Sequence, residues 1–188
     1  TVLLLDNNIY GLTKNQTSPT TPQGYTSNTS PKGAILPALN PLQATLGITN
    51  ASFVAQTADW VPSHLYATLQ AAYEHPGFSF IRILQRCPKF TPDVFAEQIK
   101  NPELTELLIH EDGVNLPGLD KLFTVRQVHD PKNLEQARVL AARTDKLILG
   151  IFFRDDSLPV YDEIRAVSPV TAEEKIKNLE KEFDRYAV

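Results

Sequence analysis

The sequence predicts an α/β domain with a mostly parallel sheet flanked by helices. Short apolar runs alternate with segments of helical period along the chain, the order expected of such a sheet. The helical segments carry recognisable start and stop residues. A length of 188 residues with 42% hydrophobic content is enough for one compact domain with a sizeable core.

Val2-Leu3-Leu4-Leu5, closed by Asp6, reads as a short buried strand. Residues 7–33 are rich in Asn, Thr, Ser, Gly and Pro and read as a long loop, a kind that is functional or disordered in compact domains. Phe53-Val54-Ala55 is a second strand. Pro62-Ser63 opens a helix with Leu65, Leu69, Ala72 and Tyr73 on one face, and Pro76-Gly77 stops it. Phe78 to Leu84 is a strand by its β-branched and aromatic content. Thr91-Pro92-Asp93 starts a short helix through its capping residue and early proline. Residues 101–128 have no clear period. Asp130-Pro131 opens a helix running to about Arg143, and Lys146 to Phe153 is a strand. Thr171-Ala172-Glu173-Glu174 is a capping box, and its helix sets Ile176, Leu179 and Phe183 on one face. No internal repeat or separate linker divides residues 1–188. In sheets of this class ligands sit at the carboxyl ends of strands, and the loop after residues 2–6 lies at such an end.

A net charge of −4 gives no basic excess for nucleic acid or an anionic membrane surface. No apolar run approaches the roughly 20 residues of a membrane span. The single cysteine, Cys87, rules out an internal disulfide and fits a reducing, cytoplasmic setting. Asn-x-Ser/Thr triplets at Asn15, Asn28 and Asn50 are of a kind common by chance. The chain starts at Thr1, not Met, inside an apolar run. It therefore reads as a fragment whose upstream part is missing.

The most informative stretch runs from Asp6-Asn7-Asn8-Ile9-Tyr10-Gly11-Leu12-Thr13-Lys14-Asn15-Gln16 to Thr17-Ser18-Pro19-Thr20-Thr21. It offers hard oxygen ligands in Asp6 and Asn7, a flexible glycine, a hydroxyl and a cation. Magnesium takes such oxygens together with diphosphate oxygens, at about 2.0–2.1 Å in an octahedron. A strand end followed by Asn, Gly and Thr is thus a place for a magnesium diphosphate. Composition alone favours the competing reading, a turn-rich surface loop.

This run closely resembles the thiamine-diphosphate segment of the beta subunits of 2-oxoacid:ferredoxin oxidoreductases, in the form of the branch that includes the 2-oxoglutarate enzymes. Later segments are similar to the same family: Asp59-Trp60-Val61-Pro62 with its helix, Phe78 through Leu84-Gln85-Arg86-Cys87-Pro88, His129-Asp130-Pro131, and Gly150-Ile151-Phe152-Phe153-Arg154. The resemblance covers most of the chain except about 101–128.

The resemblance implies a thiamine-diphosphate-binding fold, present here as its C-terminal part. It implies that Asn7 gives a side-chain oxygen to Mg2+ and Ile9 its carbonyl. Gly11, Leu12 and Thr13 would line the diphosphate, and Lys14 would face the substrate carboxylate or coenzyme A. Cys87 would supply one thiolate of a 4Fe-4S cluster, which is held by cysteine sulfurs. The implied partners are an alpha subunit, ferredoxin, coenzyme A and a 2-oxo acid, with 2-oxoglutarate favoured. Asn15 departs from the family, which commonly has Gly there, and this puts the loop beside Lys14 in question. The family's upstream Gly-Asp-Gly segment and cluster cysteines are not in the sequence, so the fragment alone is expected to be inactive.

Other residues carry weaker signals. His64, His75, His110 and His129 lack metal-ligand spacing and read as surface or capping histidines. Arg86 and Lys89 flank Cys87 and are solvated charges by default. Two further readings stay open. A non-oxidative thiamine-dependent decarboxylase would not need Cys87. A non-catalytic binding module would not need the Lys14 loop.

Overall fold

A computed structural model describes residues 1–111, 113–114, 116–165 and 170–186. The chain divides into two units, Thr1–Leu158 and Pro159–Val188. In the first, β1 (Val2–Asp6), β2 (Phe53–Ala58) and β3 (Ser79–Leu84) run parallel, and β3 lies between the other two. β4 (Thr105–Ile109), β5 (Val125–Val128) and β6 (Leu147–Arg154) form a second parallel set, with β4 in the middle. β6 pairs antiparallel with β2, so the sheet order is β1-β3-β2-β6-β4-β5. The mostly parallel α/β sheet expected from the alternation of elements is present.

Period-2 alternation gives the sheet two apolar faces. Phe53 and Ala55 of β2 point to one core with Ile81, Leu107, Leu149 and Ile151. Helix α2 (Pro62–Glu74) covers this side. Val54, Phe80, Leu108, Ile148 and Phe152 point the other way. There they meet α1 (Pro41–Leu46) and α5 (Leu134–Ala142).

Several elements differ from their sequence reading. β1 is an edge strand rather than a buried one: Val2, Leu3 and Leu5 are 46%, 49% and 62% exposed. The short α1 is unforeseen; Asn40 caps it by accepting from the amides of Leu42 and Gln43. The helix expected at Thr91 starts later, as α3 (Ala96–Lys100), because the Thr91 hydroxyl is committed elsewhere. α5 starts at Leu134 with Asn133 as its cap, not at Asp130. The stretch 101–128 holds β4, the short α4 (Leu119–Leu122) and β5. Glu106 is buried within β4, and Arg143 reaches it at 2.9 Å. Arg143 also meets Gln127 of β5 at 3.0 Å, so one cation after α5 ties down both strands.

In α2 the buried positions are His64, Thr68 and Ala72, spaced four apart, whereas Tyr73 is exposed. His64, His75 and His129 are all buried, which corrects a surface reading, while His75 does cap the C-terminus of α2. The second unit contains α6 (Tyr161–Arg165) and α7 (Ala172–Tyr186). The capping box of α7 is formed: Thr171 N–H donates to Glu174 Oε2 at 3.0 Å, and Glu174 N–H to Thr171 Oγ1 at 3.2 Å. Among the described residues, no helix is long and apolar enough to cross a membrane.

Candidate functional site

The strands β1, β3 and β2 end on one edge of the sheet, and the candidate residues gather there. β1 stops at Asp6 because the next residues hydrogen-bond locally. Asp6 Oδ1 accepts from the Asn8 amide at 3.1 Å, and Asn7 Oδ1 accepts from the Ile9 amide at 3.2 Å. Such Asx turns compete with strand pairing. Asn8 takes a left-handed φ of 59°, and its carbonyl accepts from Thr21 Oγ1 at 2.6 Å.

A narrow hairpin follows. Tyr10 and Gln16 exchange backbone hydrogen bonds of 2.9 and 3.3 Å, and the Lys14 amide donates to the Gly11 carbonyl at 3.1 Å. Leu12, Thr13 and Lys14 form its exposed tip, with Leu12 98% exposed. Lys14 and Asn15 both have left-handed φ, 68° and 63°. Asn28 holds this turn, donating its amide to the Asn15 carbonyl at 2.8 Å and Nδ2 to the Lys14 carbonyl at 2.6 Å. Further along, Thr17 Oγ1 lies 2.6 Å from Ser27 Oγ and 2.9 Å from Ser30 Oγ. Hydroxyls and amides, rather than apolar burial, thus order the long loop.

Cys87 lies beside this loop. A Cβ on Gly11 would sit 3.2 Å from Cys87 Sγ, so the glycine permits the close approach. Thr91 ties the two segments together: its hydroxyl donates to the Asn7 carbonyl at 3.0 Å and accepts from the Cys87 amide at 3.2 Å. Burial opposes ionisation of the thiol. Backbone hydrogen bonds from Phe90, Lys89 and Thr91, with the charge of Lys89, outweigh it and hold the thiol below its ordinary range. Of the two flanking cations, Lys89 is thus one that acts on Cys87.

The structure therefore brings Asn7, Ile9, Gly11 and Cys87 to one sheet edge. Asn7 and Ile9 line a common cavity of about 330 Å³, largely apolar, whose walls include Leu4, Tyr10 and Leu39. Lys14 stands apart on the hairpin tip. Two features fit a cation or a hydrogen-bonding ligand at the loop. The side-chain oxygens of Asn8 and Asn15 are buried without a hydrogen-bond partner among the described residues. Native buried acceptors are rarely left so. The Cys87 thiol, for its part, is held below its ordinary range, which favours the ionised form in which cysteine binds iron.

The reading of Asp6 as an oxygen ligand is corrected. Its carboxylate accepts from Arg82 Nε at 2.7 Å and Thr20 Oγ1 at 2.6 Å as well as from Asn8. Sequence reasoning missed the roles of Arg82 and of Thr91, read there only as a helix cap, because both lie some 80 positions from the loop. It also missed Ser52, His75 and Asp156 at the opposite sheet edge, with His75 2.9 Å from Ser52 Oγ and 3.0 Å from Asp156 Oδ1. This resembles a nucleophilic triad in outline only. Ser52 is buried, donates to the Phe78 carbonyl at 3.0 Å, and is covered by Gly77, where a Cβ would collide with its hydroxyl. The three residues lock the start of β2 to the ends of α2 and β6.

Residues 1–83 match the family of the thiamine pyrophosphate enzyme C-terminal TPP binding domain. Residues 120–168 match the C-terminal family of the pyruvate ferredoxin oxidoreductase beta subunit. The chain is 31% identical to the 2-oxoglutarate oxidoreductase subunit KorB of Mycobacterium tuberculosis, over 92% of this chain and 52% of that protein. It is 29% identical to the beta subunit of a Sulfolobus 2-oxoacid:ferredoxin oxidoreductase, over 89% of this chain and 53% of that protein. A solved structure of the 2-oxoglutarate:ferredoxin oxidoreductase from Magnetococcus marinus, with 2-oxoglutarate, coenzyme A and succinyl-CoA bound, matches with a TM-score of 0.67. It is 30% identical, and the match covers 94% of this chain and 56% of that one. The chain thus spans about half the length of the curated relatives it matches. On this fold, these segments and these relatives, the chain belongs to the family of 2-oxoacid:ferredoxin oxidoreductase beta subunits.

Proposed function

We propose that the chain is the C-terminal part of a beta subunit that converts a 2-oxo acid and coenzyme A to acyl-CoA and carbon dioxide, or runs the reverse carboxylation. A 4Fe-4S cluster, held in part by Cys87, would supply the route by which the two electrons reach ferredoxin. The observation that supports this reading is the approach of Gly11, in the loop we read as diphosphate-binding, to Cys87 Sγ, whose thiol is held below its ordinary range.

Thiamine diphosphate, when bound, supplies the nucleophilic carbon and the electron sink for decarboxylation. The chain's own residues bind and orient it. Asn7 Oδ1 and the Ile9 carbonyl would hold Mg2+, and Gly11, Leu12 and Thr13 would line the diphosphate. Lys14 meets a carboxylate of the substrate, or coenzyme A, through a charge-assisted contact. Cys87 gives one cluster thiolate; the other three come from polypeptide outside this sequence, which has no second cysteine. An alpha subunit completes the enzyme, and its setting is cytoplasmic. The preferred substrate is 2-oxoglutarate. The Tyr10–Gln16 run and the substrate names of two relatives support that preference.

The test uses the complete enzyme and follows ferredoxin reduction dependent on coenzyme A. A higher specificity constant for 2-oxoglutarate than for pyruvate is expected, and the reverse order would sink the substrate preference. Cys87→Ala is expected to lose most iron and all ferredoxin reduction, and Asn7→Leu to lose thiamine diphosphate retention. Full iron and normal reduction in Cys87→Ala would make Cys87 a packing residue and favour non-oxidative chemistry.

A further inference from the structure

We infer that Asp6 and Arg82 form a charge-paired brace that positions the Asn7–Ile9 turn for the metal–diphosphate, and that Asp6 is a positioning residue and not a ligand. The inference rests on the thiamine diphosphate reading of the loop.

Four strands carry the brace. Arg82 projects from the middle of β3 on the face of the sheet shared by Leu4, Phe80 and Val54. Its Nε donates to Asp6 Oδ2 at 2.7 Å, and Nη2 lies 2.6 Å from the same oxygen. Its Nη1 donates to Gln56 Oε1 of β2 at 3.1 Å, and Gln56 Nε2 donates on to the Ile148 carbonyl of β6 at 2.7 Å. The row therefore runs unbroken from the end of β1 across β3 and β2 to β6.

The carboxylate at its end has no capacity left for a cation. Oδ2 is occupied by two guanidinium contacts, and Oδ1 by the Thr20 hydroxyl at 2.6 Å and the Asn8 amide at 3.1 Å. The Asp6 side chain is 3% exposed and that of Arg82 16%. A pair this buried is weak evidence for stability but costs a great deal to break on one side only. Its geometric effect falls on Asn8. That residue is held at φ 59° by its amide on Asp6 and its carbonyl under Thr21. Asn8 separates the two oxygen donors, the Asn7 side chain and the Ile9 carbonyl. Fixing its backbone fixes how those two oxygens present themselves, as outer-shell groups do around metal sites.

The test is calorimetric titration of thiamine diphosphate with Mg2+ into the complete, cofactor-depleted enzyme. Arg82→Gln and Asp6→Asn are each expected to weaken binding by roughly 10–100-fold, the range for outer-shell partners. The loss of affinity should exceed any fall in turnover at saturating cofactor. The double variant Asp6→Asn with Arg82→Gln should recover much of the affinity, because neither charge is left alone. Thr20→Val, a milder change at a partly exposed residue, should weaken binding by a smaller factor and guards against misfolding of the others. Parent-like affinity in both Arg82→Gln and Thr20→Val would reduce the pair to a structural contact and overturn the brace. Loss of binding in Asp6→Asn that the double variant does not restore, with Arg82→Gln unaffected, would overturn it by making Asp6 a ligand. If the parent enzyme itself binds no thiamine diphosphate, the cofactor reading fails and the brace with it.

Discussion

The resemblance implies a glycine at the position of Asn15, and the backbone there is one that both residues can adopt. A φ of 63° is left-handed, open to glycine and tolerated by asparagine but strained for β-branched residues. Asn15→Gly is therefore expected to leave thermal stability within about 0.5 kcal/mol of the parent, whereas Asn15→Val should cost about 1–3 kcal/mol. Comparison of denaturation midpoints checks both, and an unharmed Val variant would show that the turn relaxes. Asp6 teaches a different lesson at the same scale. Its residue type read as a hard oxygen donor, and that chemistry is right, but its partner Arg82 stands 76 positions away. Nothing local in Asp6-Asn7-Asn8 distinguishes a ligand from a brace.

Among the elements, α2 carries the clearest pH dependence. His64 is wholly buried in it, 2.8 Å from Thr57 Oγ1 of β2, and burial lowers its pKa from the ordinary 6.5 to about 4. The folded state thus takes up this proton less readily than the unfolded chain. Above pH 6.5 both states hold the neutral ring and the term vanishes. As pH falls from 6.5 toward about 4 the unfolded chain is favoured, by roughly 3 kcal/mol at the end of that window. Burial also lowers the pKa of His75, against the pull of Asp156, so it adds to the same acid limb. Urea midpoints between pH 7.5 and 4.5 should fall, and His64→Gln should flatten that fall. An unchanged slope in the variant would place the acid sensitivity elsewhere. The periodicity that revealed α2 found Ala72 and the core-packed Leu65 and Leu69 but not the buried His64 and Thr68, whose residue types do not signal burial. β4 and β5 stayed hidden for a related reason. The buried Glu106 breaks the apolar pattern, and only Arg143, distant in sequence, makes it tolerable. In β3 and β6, rich in β-branched and aromatic residues despite Arg82 in the middle of β3, position and type were legible from composition.

At the scale of the whole molecule, two oppositely directed parallel sets meet at one seam. β2 and β6 make that seam, with a register shift between Val54 and Ala55. Gly150 sits in it opposite Gln56, at φ 130°, and a Cβ there would come within 2.8 Å of Leu108 Cβ. Gly150→Val should cost about 3 kcal/mol or more, since strain and overpacking add. A denaturant midpoint close to the parent's would show that the halves can shift apart without loss.

The outer edge of β1 bears on how the polypeptide behaves in bulk. Edge strands offer unpaired amides and carbonyls to any extended chain that arrives, and here Val2, Leu3 and Leu5 lie bare beside them. Natural sheets blunt such borders with lysine, proline or a bulge, and Val2–Asp6 has none of these before its closing aspartate. Handled in isolation, Val2–Asp6 offers a template for intermolecular strand pairing, whatever the strength of the core behind it.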